Sequence, residues 1–445
     1  MKSICLFFQV HQPIRYRRYR FFDIGNDHYY YDDYSNETSL RKVTEKSYLP
    51  ANKLLLELLT KHKGKFKVAF SITGIALDQF EIYAPELILS FRKLADTGCV
   101  EFLSETYSHS LSSLRNQSVF EKEVQYHSEK IYNLFGQKPQ VFRNTEMIYS
   151  DDIGAQVYQM GYKAILTEGA RHVLGWKSPN FLYVNAINPR MKVLLRNFKL
   201  SDDISFRFSN QNWSEFPLTA EKFTSWLHKL QEKEEVVNLF LSYESFGIRQ
   251  PASTGIFNFL EHWVNNIVRS NDFKFTIPSE VIHELQPISL VSVPQPISWA
   301  DEERDLTSWL GNEMQKEAFE KLYTLASLME KCQNEELARD WKYLQESDHF
   351  YFMSTKYFSG NLGLVYQNPF DSPYEAFINY MNILSDFTIR LNKVVQLDEE
   401  GQDFTLLQKL LQEKEKKIRT MEIELEKLKK KIPQKTRSVK RNKSK

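Results

Sequence analysis

The feature that most constrains the fold is a regular alternation, over about the first 290 residues, between short β-rich apolar runs and longer amphipathic stretches. Strands separated by helices pair in parallel through right-handed crossovers. Six or seven such units favour a closed or nearly closed barrel over an open sheet. We therefore predict an α/β chain whose barrel occupies residues 1–295. The candidate strands are ICLFFQV, KVAFSIT, VEFLSET, VFRNTE, AILTEG and VNLFLSY.

The pattern changes at about Ser298, after which helical stretches follow one another without intervening strands. The stretch Ser298–Glu330 and the later segment SPYEAFINYMNILSDFTIRLNKVV predict helices that pack on helices. We assign residues 296–395 to an α-helical domain that packs against the barrel mouth and completes its cleft.

A coiled-coil pattern follows this helical domain. Apolar residues recur at alternating spacings of three and four among Glu, Lys and Arg, which predicts a coiled-coil helix over 396–432. Lys414 occupies one seam position and weakens the pattern. Two alternatives stay open, namely self-association through 404–432 or packing of the helix onto the body of the protein. The seam residues are Leu407, Leu411, Ile418, Met421, Leu425, Leu428 and Ile432.

The chain ends in a basic tail, residues 433–445. The last seventeen residues, 429–445, include this tail and hold nine Lys or Arg and no acid, although the formal net charge of the whole chain is +1. Such a segment is typically a disordered, solvated end. The alternative is contact with polyanions such as RNA or acidic lipid.

The remaining composition indicates a globular protein of a reducing compartment. Its three cysteines are far apart and indicate neither a disulfide framework nor a metal site. The apolar run at the N-terminus is interrupted by Gln9, and no window approaches a membrane span in length. We therefore expect a cytoplasmic protein. Aromatic residues make up 14% of the chain, which suits either a large core or platforms for sugar rings.

Polar side chains gather at the C-terminal ends of five candidate strands, where an α/β barrel keeps its chemistry. Taken singly, a His or Glu at a strand end is commonly a structural hydrogen-bonding residue. Five such ends together predict that the groups converge on one active site. These residues are His11 and Gln12; Ser71, Thr73 and Gly74; Glu105 and His109; Arg143, Asn144 and Glu146; and Ser242 with Glu244.

Glu146 is the leading candidate for a nucleophilic carboxylate. Arg143 precedes it by three residues, and a nearby guanidinium would keep the carboxylate ionised. Cleavage of a glycosidic bond needs a second carboxyl group that donates a proton. The stretch VVNLFLSYESFG is the place to seek it, because in a strand Ser242 and Glu244 would share one face.

Five motifs of this chain resemble, in order, the signature regions of glycoside hydrolase family 57, and its α-amylase branch is the most similar. They are HQP at 11–13, TGIAL at 73–77, FRNTEMIYS at 142–150, LSYESFG at 241–247 and DLTSWLGNEMQ at 305–315. The resemblance covers about residues 1–395 and excludes the coiled coil and the tail. It implies an incomplete parallel (β/α)7 barrel followed by an α-helical domain. It also implies retaining α-glucan chemistry with no metal and no cofactor.

The resemblance also implies roles for individual residues. Glu146 matches the family's nucleophile, and the position of the family's acid/base Asp is occupied here by Ser242. The family pattern Asp-Tyr-Glu-x-Phe-Gly is Ser-Tyr-Glu-Ser-Phe-Gly in this chain. His11, Gly74, Trp299, Asp305 and Trp309 match the family's substrate-cleft regions. The strand-end residues Gln12, His109, Arg143 and Glu244 complete the set that we expect to bind substrate.

The serine cannot replace a carboxylic acid, because its pKa lies many units above neutrality. Glu244 would lie about 6.5 Å further along the same strand, beyond direct proton-transfer distance of the position that Ser242 occupies. We expect a protein that binds α-glucan, such as starch, glycogen or maltooligosaccharide, but is catalytically impaired. The alternative is an active retaining α-amylase or 4-α-glucanotransferase that uses a substitute acid/base such as Glu244. A third hypothesis is a scaffold in which the barrel is a relic.

Overall fold

The computed structural model describes residues 1–356 and 368–431. All six candidate strands form, and each ends within a few residues of the predicted position. Four further short strands are present. The strands are β1 Lys2–Val10, β2 Val68–Ile72, β3 Val100–Phe102, β4 Val141–Arg143, β5 Ala164–Glu168, β6 Leu182–Asn185, β7 Lys192–Arg196, β8 Val236–Ser242, β9 Phe273–Thr276 and β10 Ser289–Val291.

Seven of these strands curl into a ring. β1 pairs in parallel with β8 on one side and with β2 on the other, and β2 pairs with β3. β4, β5 and β7 form a second parallel ladder. The two ladders meet at an isolated parallel bridge between Ser104 and Phe142 and where the Asn197 amide donates to the Asn238 carbonyl, at 2.9 Å. Because neither junction extends into a ladder of paired strand residues, the ring is an incomplete (β/α)7 barrel, as expected.

Three strands lie outside the ring. β6 pairs antiparallel with β7, and β10 extends that sheet in parallel with β6. β9 pairs with the first half of β1, below the stretch of β1 that pairs with β2.

The helices lie between the strands in the first part of the chain and follow one another in the second. Local capping explains several of their ends: the Thr73 hydroxyl accepts from the Ala76 amide at the start of α3, and Gly136 closes α5 with a φ of 69°. The helices are α1 Asp33–Val43, α2 Leu49–His62, α3 Gly74–Tyr83, α4 Pro85–Ala95, α5 Gln117–Phe135, α6 Asp151–Gln159, α7 Arg171–Leu174, α8 Phe198–Asp202, α9 Ala220–His228, α10 Ile256–Arg269, α11 Pro278–Glu284, α12 Thr307–Leu310, α13 Glu313–Thr324, α14 Ala326–Met329, α15 Glu335–Leu344, α16 Ser347–Phe352 and α17 Pro373–Lys431.

The helical layer packs directly on the barrel. One continuous apolar cluster contains Tyr149 and Ile165 from the β4–β5 side together with Phe350 and Tyr380 from α16 and α17. The first turns of α17 bury one face of the helix in this cluster, through residues such as Phe387 and Leu391. The helical layer is therefore held over the carboxyl end of the strands by hydrophobic burial.

The helix α17 runs without a break across residue 396, where we predicted a boundary between the helical domain and a coiled coil. Because an α-helix rises about 1.5 Å per residue, a helix of this length extends for about 90 Å. Most side chains after residue 396, and the basic tail at 433–445, lie outside the described residues. In the part of the chain that the structure describes, no helix is long and apolar enough to cross a membrane.

Candidate active site

The polar residues singled out at the strand ends gather at the carboxyl end of the barrel. His11 and Gln12 directly follow β1, Glu146 lies in a short turn after β4, and Ser242 is the last residue of β8. Two of these side chains have access to solvent, because Glu146 is 22% exposed and Ser242 is partly exposed. Their hydrogen-bonding partners His109 and Glu244 are buried.

Glu146 is held by two hydrogen bonds. Its Oε1 lies 2.8 Å from Nε2 of His109, and its Oε2 accepts from the indole Nε1 of Trp299 at 2.6 Å. The backbone of Glu146 is left-handed, with a φ of 51°, and that of His109 also, with a φ of 52°. Positive φ is costly for such residues and is found where surrounding structure fixes a functional side chain.

A chain of alternating charges supports this carboxylate. Arg143 Nη1 donates to Glu105 Oε2 at 3.1 Å, and the same carboxylate oxygen lies 3.5 Å from His109 Nδ1. Burial opposes ionisation of Glu105, but His109 and Arg143 lower its pKa to about 2. Burial also disfavours the imidazolium of His109, yet Glu105 and Glu146 raise its pKa to about 9. Burial acts against the charge of Glu146 too, but His109 and Arg143 hold its pKa below the ordinary value.

Arg143 assists Glu146 from a distance. We expected a nearby guanidinium to keep Glu146 ionised, and Arg143 does contribute to lowering its pKa. The direct neighbour is His109, while Arg143 pairs with Glu105 and acts on Glu146 through space. The sequence could not distinguish the two, because the contact depends on the left-handed backbone of His109.

His11 lies against His109, with ring centroids 4.0 Å apart. Its Nδ1 lies 2.9 Å from the Thr73 hydroxyl and its Nε2 2.9 Å from Asp348 Oδ2. Burial and the neighbouring His109 charge lower the pKa of His11. Ligand atoms of His11, His109 and Asp348 lie within 4.8 Å of one another, so the group could hold a cation. Both nitrogens of both rings already face hydrogen-bonding or ion-pair partners, and an ion would have to displace them.

The relation between Ser242 and Glu244 differs from our expectation. β8 ends at Ser242, and Tyr243–Ser245 form a single 3₁₀ turn instead of continuing the strand. The turn folds Glu244 back, so that Oγ of Ser242 donates to Glu244 Oε2 at 2.5 Å. The expectation that Glu244 continues the strand and lies beyond proton-transfer distance of Ser242 is therefore wrong. Glu244 is 2% exposed, and burial raises its pKa although Ser242 and Tyr48 both donate hydrogen bonds to it.

Two further residues hold the Glu244 carboxyl group. The Tyr48 hydroxyl donates a short hydrogen bond to Oε1, and the side-chain amide of Gln12 donates to the same oxygen at 3.3 Å. The Gln12 amide also donates to Tyr48 at 3.1 Å. Gln12 is buried, and its side-chain amide contacts this carboxyl group and Tyr48.

Four other candidates have structural contacts of their own. A Cβ on Gly74 would come within 2.4 Å of the Tyr107 ring, so a side chain there would collide with this residue. Asp305 accepts from the Thr307 amide at the start of α12. Trp309 is 3% exposed within the core of the helical layer. Trp299 binds Glu146 and has the guanidinium carbons of Arg143 and Arg196 at 5.4 and 5.6 Å from its ring centroid. Substrate contacts of all four remain predictions.

The sequence reasoning missed Asp348, Glu346 and Tyr48. Asp348 contacts His11, and the Glu346 carboxylate accepts from the Ile14 amide at 3.0 Å. These acids occur in QESDHFYF, an otherwise helical and aromatic stretch, where two buried carboxylates would be costly without partners. Two acids in such a stretch were the sequence signal that Asp348 and Glu346 have buried partners. Tyr48 gave none, because it stands at the start of the ordinary amphipathic stretch YLPANKLLLELLTKH.

Comparison with known proteins identifies relatives over most of the chain. Residues 5–294 match the family Glycosyl hydrolase family 57. A protein of Methanocaldococcus jannaschii named "Putative alpha-amylase" is 38% identical over 405 residues, which cover 88% of this chain and 85% of that protein.

Solved structures with the same fold are more distant in sequence. A GH57 branching enzyme of Thermococcus kodakaraensis aligns with a TM-score of 0.63 at 13% identity, over 88% of this chain and 90% of that one. The α-amylase AmyC of Thermotoga maritima aligns with a TM-score of 0.58 at 12% identity, over 89% and 96%. The 4-α-glucanotransferase of Thermococcus litoralis aligns with a TM-score of 0.54 at 16% identity, over 79% of this chain and only 51% of that longer one. At these identities the similarity shows the fold alone.

Proposed function

The chain belongs to glycosyl hydrolase family 57, and from this premise we propose that it binds α-glucans at the carboxyl end of its barrel, with Glu146 as nucleophile and with bond cleavage impaired by Ser242. The substrate class would be starch, glycogen or maltooligosaccharides. The observation that carries the proposal is the solvent-accessible Glu146 carboxylate, fixed by His109 and Trp299 at the end of β4.

The environment of Glu146 suits a nucleophile. A retaining glycosidase needs one carboxylate that stays ionised and attacks the anomeric carbon. The imidazolium of His109 and the guanidinium of Arg143 lower the pKa of Glu146 despite burial, so that the group is an anion at neutral pH. The two hydrogen bonds also fix both carboxylate oxygens, which limits the reorganisation needed for attack.

The site differs from the family pattern at the residue that should donate the proton. Ser242 is the partly exposed residue at the end of β8, and its hydroxyl is too weak an acid to protonate a leaving sugar by itself. General acid–base assistance typically contributes about 100- to 10,000-fold. We therefore expect cleavage of α-glucans to be slower than in a complete enzyme by a factor of that order, while binding is retained.

The proposed substrate class is supported by family membership and by the 38%-identical relative, which is named "Putative alpha-amylase". An α-amylase acts on α-linked glucose polymers. Hydrolysis and transfer share the covalent intermediate and differ in whether water or a sugar hydroxyl accepts the glycosyl group.

A second candidate function rests on the 2.5 Å contact between Ser242 and Glu244. On this interpretation the chain is an active retaining α-amylase or 4-α-glucanotransferase with Glu244 as substitute acid/base. The burial of Glu244 argues against direct contact of its carboxyl group with substrate, since only 2% of the residue is exposed.

An activated substrate tests the proposed nucleophile without the missing acid. An α-maltosyl fluoride has a leaving group that needs little protonation, so Glu146 should displace fluoride in a first turnover and carry the sugar as an ester. We expect a fluoride burst of one per protein, together with mass-spectrometric labelling of the peptide that contains Glu146. Glu146→Gln, which keeps the shape of the side chain, should abolish both. A persistent burst in that variant, no burst in the wild type, or no glycan binding by the wild type would each refute the proposed function.

A further inference from the structure

We propose that Glu244 supplies protons to the substrate through the Ser242 hydroxyl, as a two-residue relay that supports the residual cleavage of α-glucans. The inference rests on the proposed function, because it assumes that Glu146 attacks a bound glycoside. It differs from direct substitution of the acid/base by Glu244, because Ser242 is the group that touches the glycosidic oxygen.

The group that reaches solvent and the group that is acidic belong to two different residues. Ser242 is partly exposed, whereas its neighbours on both sides, Leu241 and Tyr243, are 1% exposed. Glu244 has a carboxyl group but is buried, and its Oε2 lies 2.5 Å from Oγ of Ser242. A heavy-atom distance of roughly 2.6–3.2 Å suffices for proton transfer, so this shorter contact meets the requirement. A hydroxyl that both donates and accepts can therefore connect the buried acid to the cleft.

The hydrogen bonds around Glu244 place one of its carboxyl oxygens against Ser242. Tyr48 and Gln12 both donate to Oε1, which leaves Oε2 as the oxygen that faces the serine. Burial raises the pKa of Glu244, so the carboxyl group retains its proton further toward neutral pH than an exposed glutamate does. Both effects suit a proton store that lies behind the residue in contact with substrate.

The relay balances in both halves of a retaining reaction. In the first half, Ser242 gives its hydroxyl proton to the glycosidic oxygen, which also takes the electron pair of the breaking C1–O bond. Oγ recovers a proton from Glu244, and Glu146 forms an ester to C1. In the second half, water attacks C1 and gives its proton to Oγ, which returns a proton to Glu244 while Glu146 leaves C1. The net change is addition of water across the glycosidic bond.

The relay predicts a specific pattern among variants of the full chain. Ser242→Ala and Glu244→Gln should each lower the release of reducing ends from maltooligosaccharide to the level of Glu146→Gln. The variant that combines Ser242→Ala with Glu244→Gln should be no slower than either alone, because both substitutions interrupt the same proton path. Ser242→Thr, the conservative variant, keeps the hydroxyl and should recover hydrolysis that Ser242→Ala loses. The first-turnover fluoride burst from α-maltosyl fluoride should persist in the three single variants at 242 and 244, which shows that the fold and the nucleophile are intact.

Two further measurements separate a relay from a structural role. The pH dependence of maltooligosaccharide hydrolysis should fall at high pH as Glu244 loses its proton, and Ser242→Thr should show the same limb. In mixtures of light and heavy water, two protons moving together give a curved dependence of rate on deuterium fraction, whereas one gives a straight line.

Three results would overturn the relay. The first is unchanged hydrolysis in Ser242→Ala or in Glu244→Gln. The second is a linear dependence on deuterium fraction. The third is a wild-type rate no higher than that of Glu146→Gln while the fluoride burst is present, in which case the proposed nucleophile stands and the relay fails. Absence of the burst as well would refute the proposed function itself.

Discussion

Replacing Ser242 by Asp should restore the missing acid and raise hydrolysis of maltooligosaccharides by about 100- to 10,000-fold. This gain corresponds to about 3–5 kcal/mol of transition-state stabilisation, since each factor of ten is worth about 1.4 kcal/mol. The structure favours the substitution, because Oγ of Ser242 is already within 2.5 Å of Glu244 Oε2. An aspartate there would share a proton with Glu244, since two adjacent carboxyl groups cannot both ionise easily. One carboxyl group would thus remain protonated and close to the cleft.

The assay is the release of reducing ends from maltooligosaccharide, with purified wild type, Ser242→Asp and Ser242→Asn compared at equal concentration. Ser242→Asn has nearly the shape of the aspartate but no titratable proton, so it should show no gain. Glu146→Gln added to Ser242→Asp should remove the gain. If Asp and Asn behave alike while the fluoride burst is intact, the identity of residue 242 does not limit the reaction, and the reasoning is refuted.

Other predictions concern the contacts of Glu146, the buried Glu101 and the helix α17. His109→Asn removes the cation beside Glu146 and should slow the fluoride burst strongly, and in wild type the burst should weaken as pH rises through about 9, where His109 becomes neutral. Trp299→Phe removes one hydrogen bond to Glu146 and should slow the burst while the melting temperature changes little. Glu101 is buried with a pKa raised to about 7, mainly by burial, so its contribution to stability is present below pH 4.5 and lost as pH rises through 7. Glu101→Gln should therefore gain on wild type by up to about 3 kcal/mol between pH 4.5 and 8, measured by denaturant unfolding. Removal of residues 404–445 should lower the oligomeric mass measured by light scattering if the heptad seam drives self-association, and leave it unchanged if α17 packs on its own chain.

The barrel could be predicted from the sequence because its signals are local. Each candidate strand is a short apolar run that the fold buries, as in β2, where all five residues are buried. Alternation with helices then fixes parallel pairing, and the polar strand ends follow from topology. The four extra strands were not predicted. β9 and β10 have only four and three residues, but length alone does not explain the difference, because β3 and β4 have three residues each and lie within longer candidate runs.

The site was only partly predictable because its contacts depend on backbone turns and on distant segments. Glu146 and His109 meet through two left-handed residues that no pattern requires. Asp348 reaches His11 across 337 positions of sequence, from a helix that belongs to another layer. Burial patterns do not encode such pairings, since each partner by itself looks like an isolated polar residue.

The pair formed by Ser242 and Glu244 shows how far a substitution can be interpreted from sequence. On the proposed assignment of Ser242 to the acid/base position, that position carries no acid, whatever the fold around it. The distance to the nearest remaining carboxyl group does depend on the fold, because an extended strand would place it about 6.5 Å away. The 3₁₀ turn instead brings the two side chains into hydrogen-bonding contact, buries the glutamate and leaves the serine accessible. On the proposed assignment, a serine at this position therefore does not isolate the cleft from acid, because it is in hydrogen-bonding contact with a carboxyl group whose pKa is raised by burial.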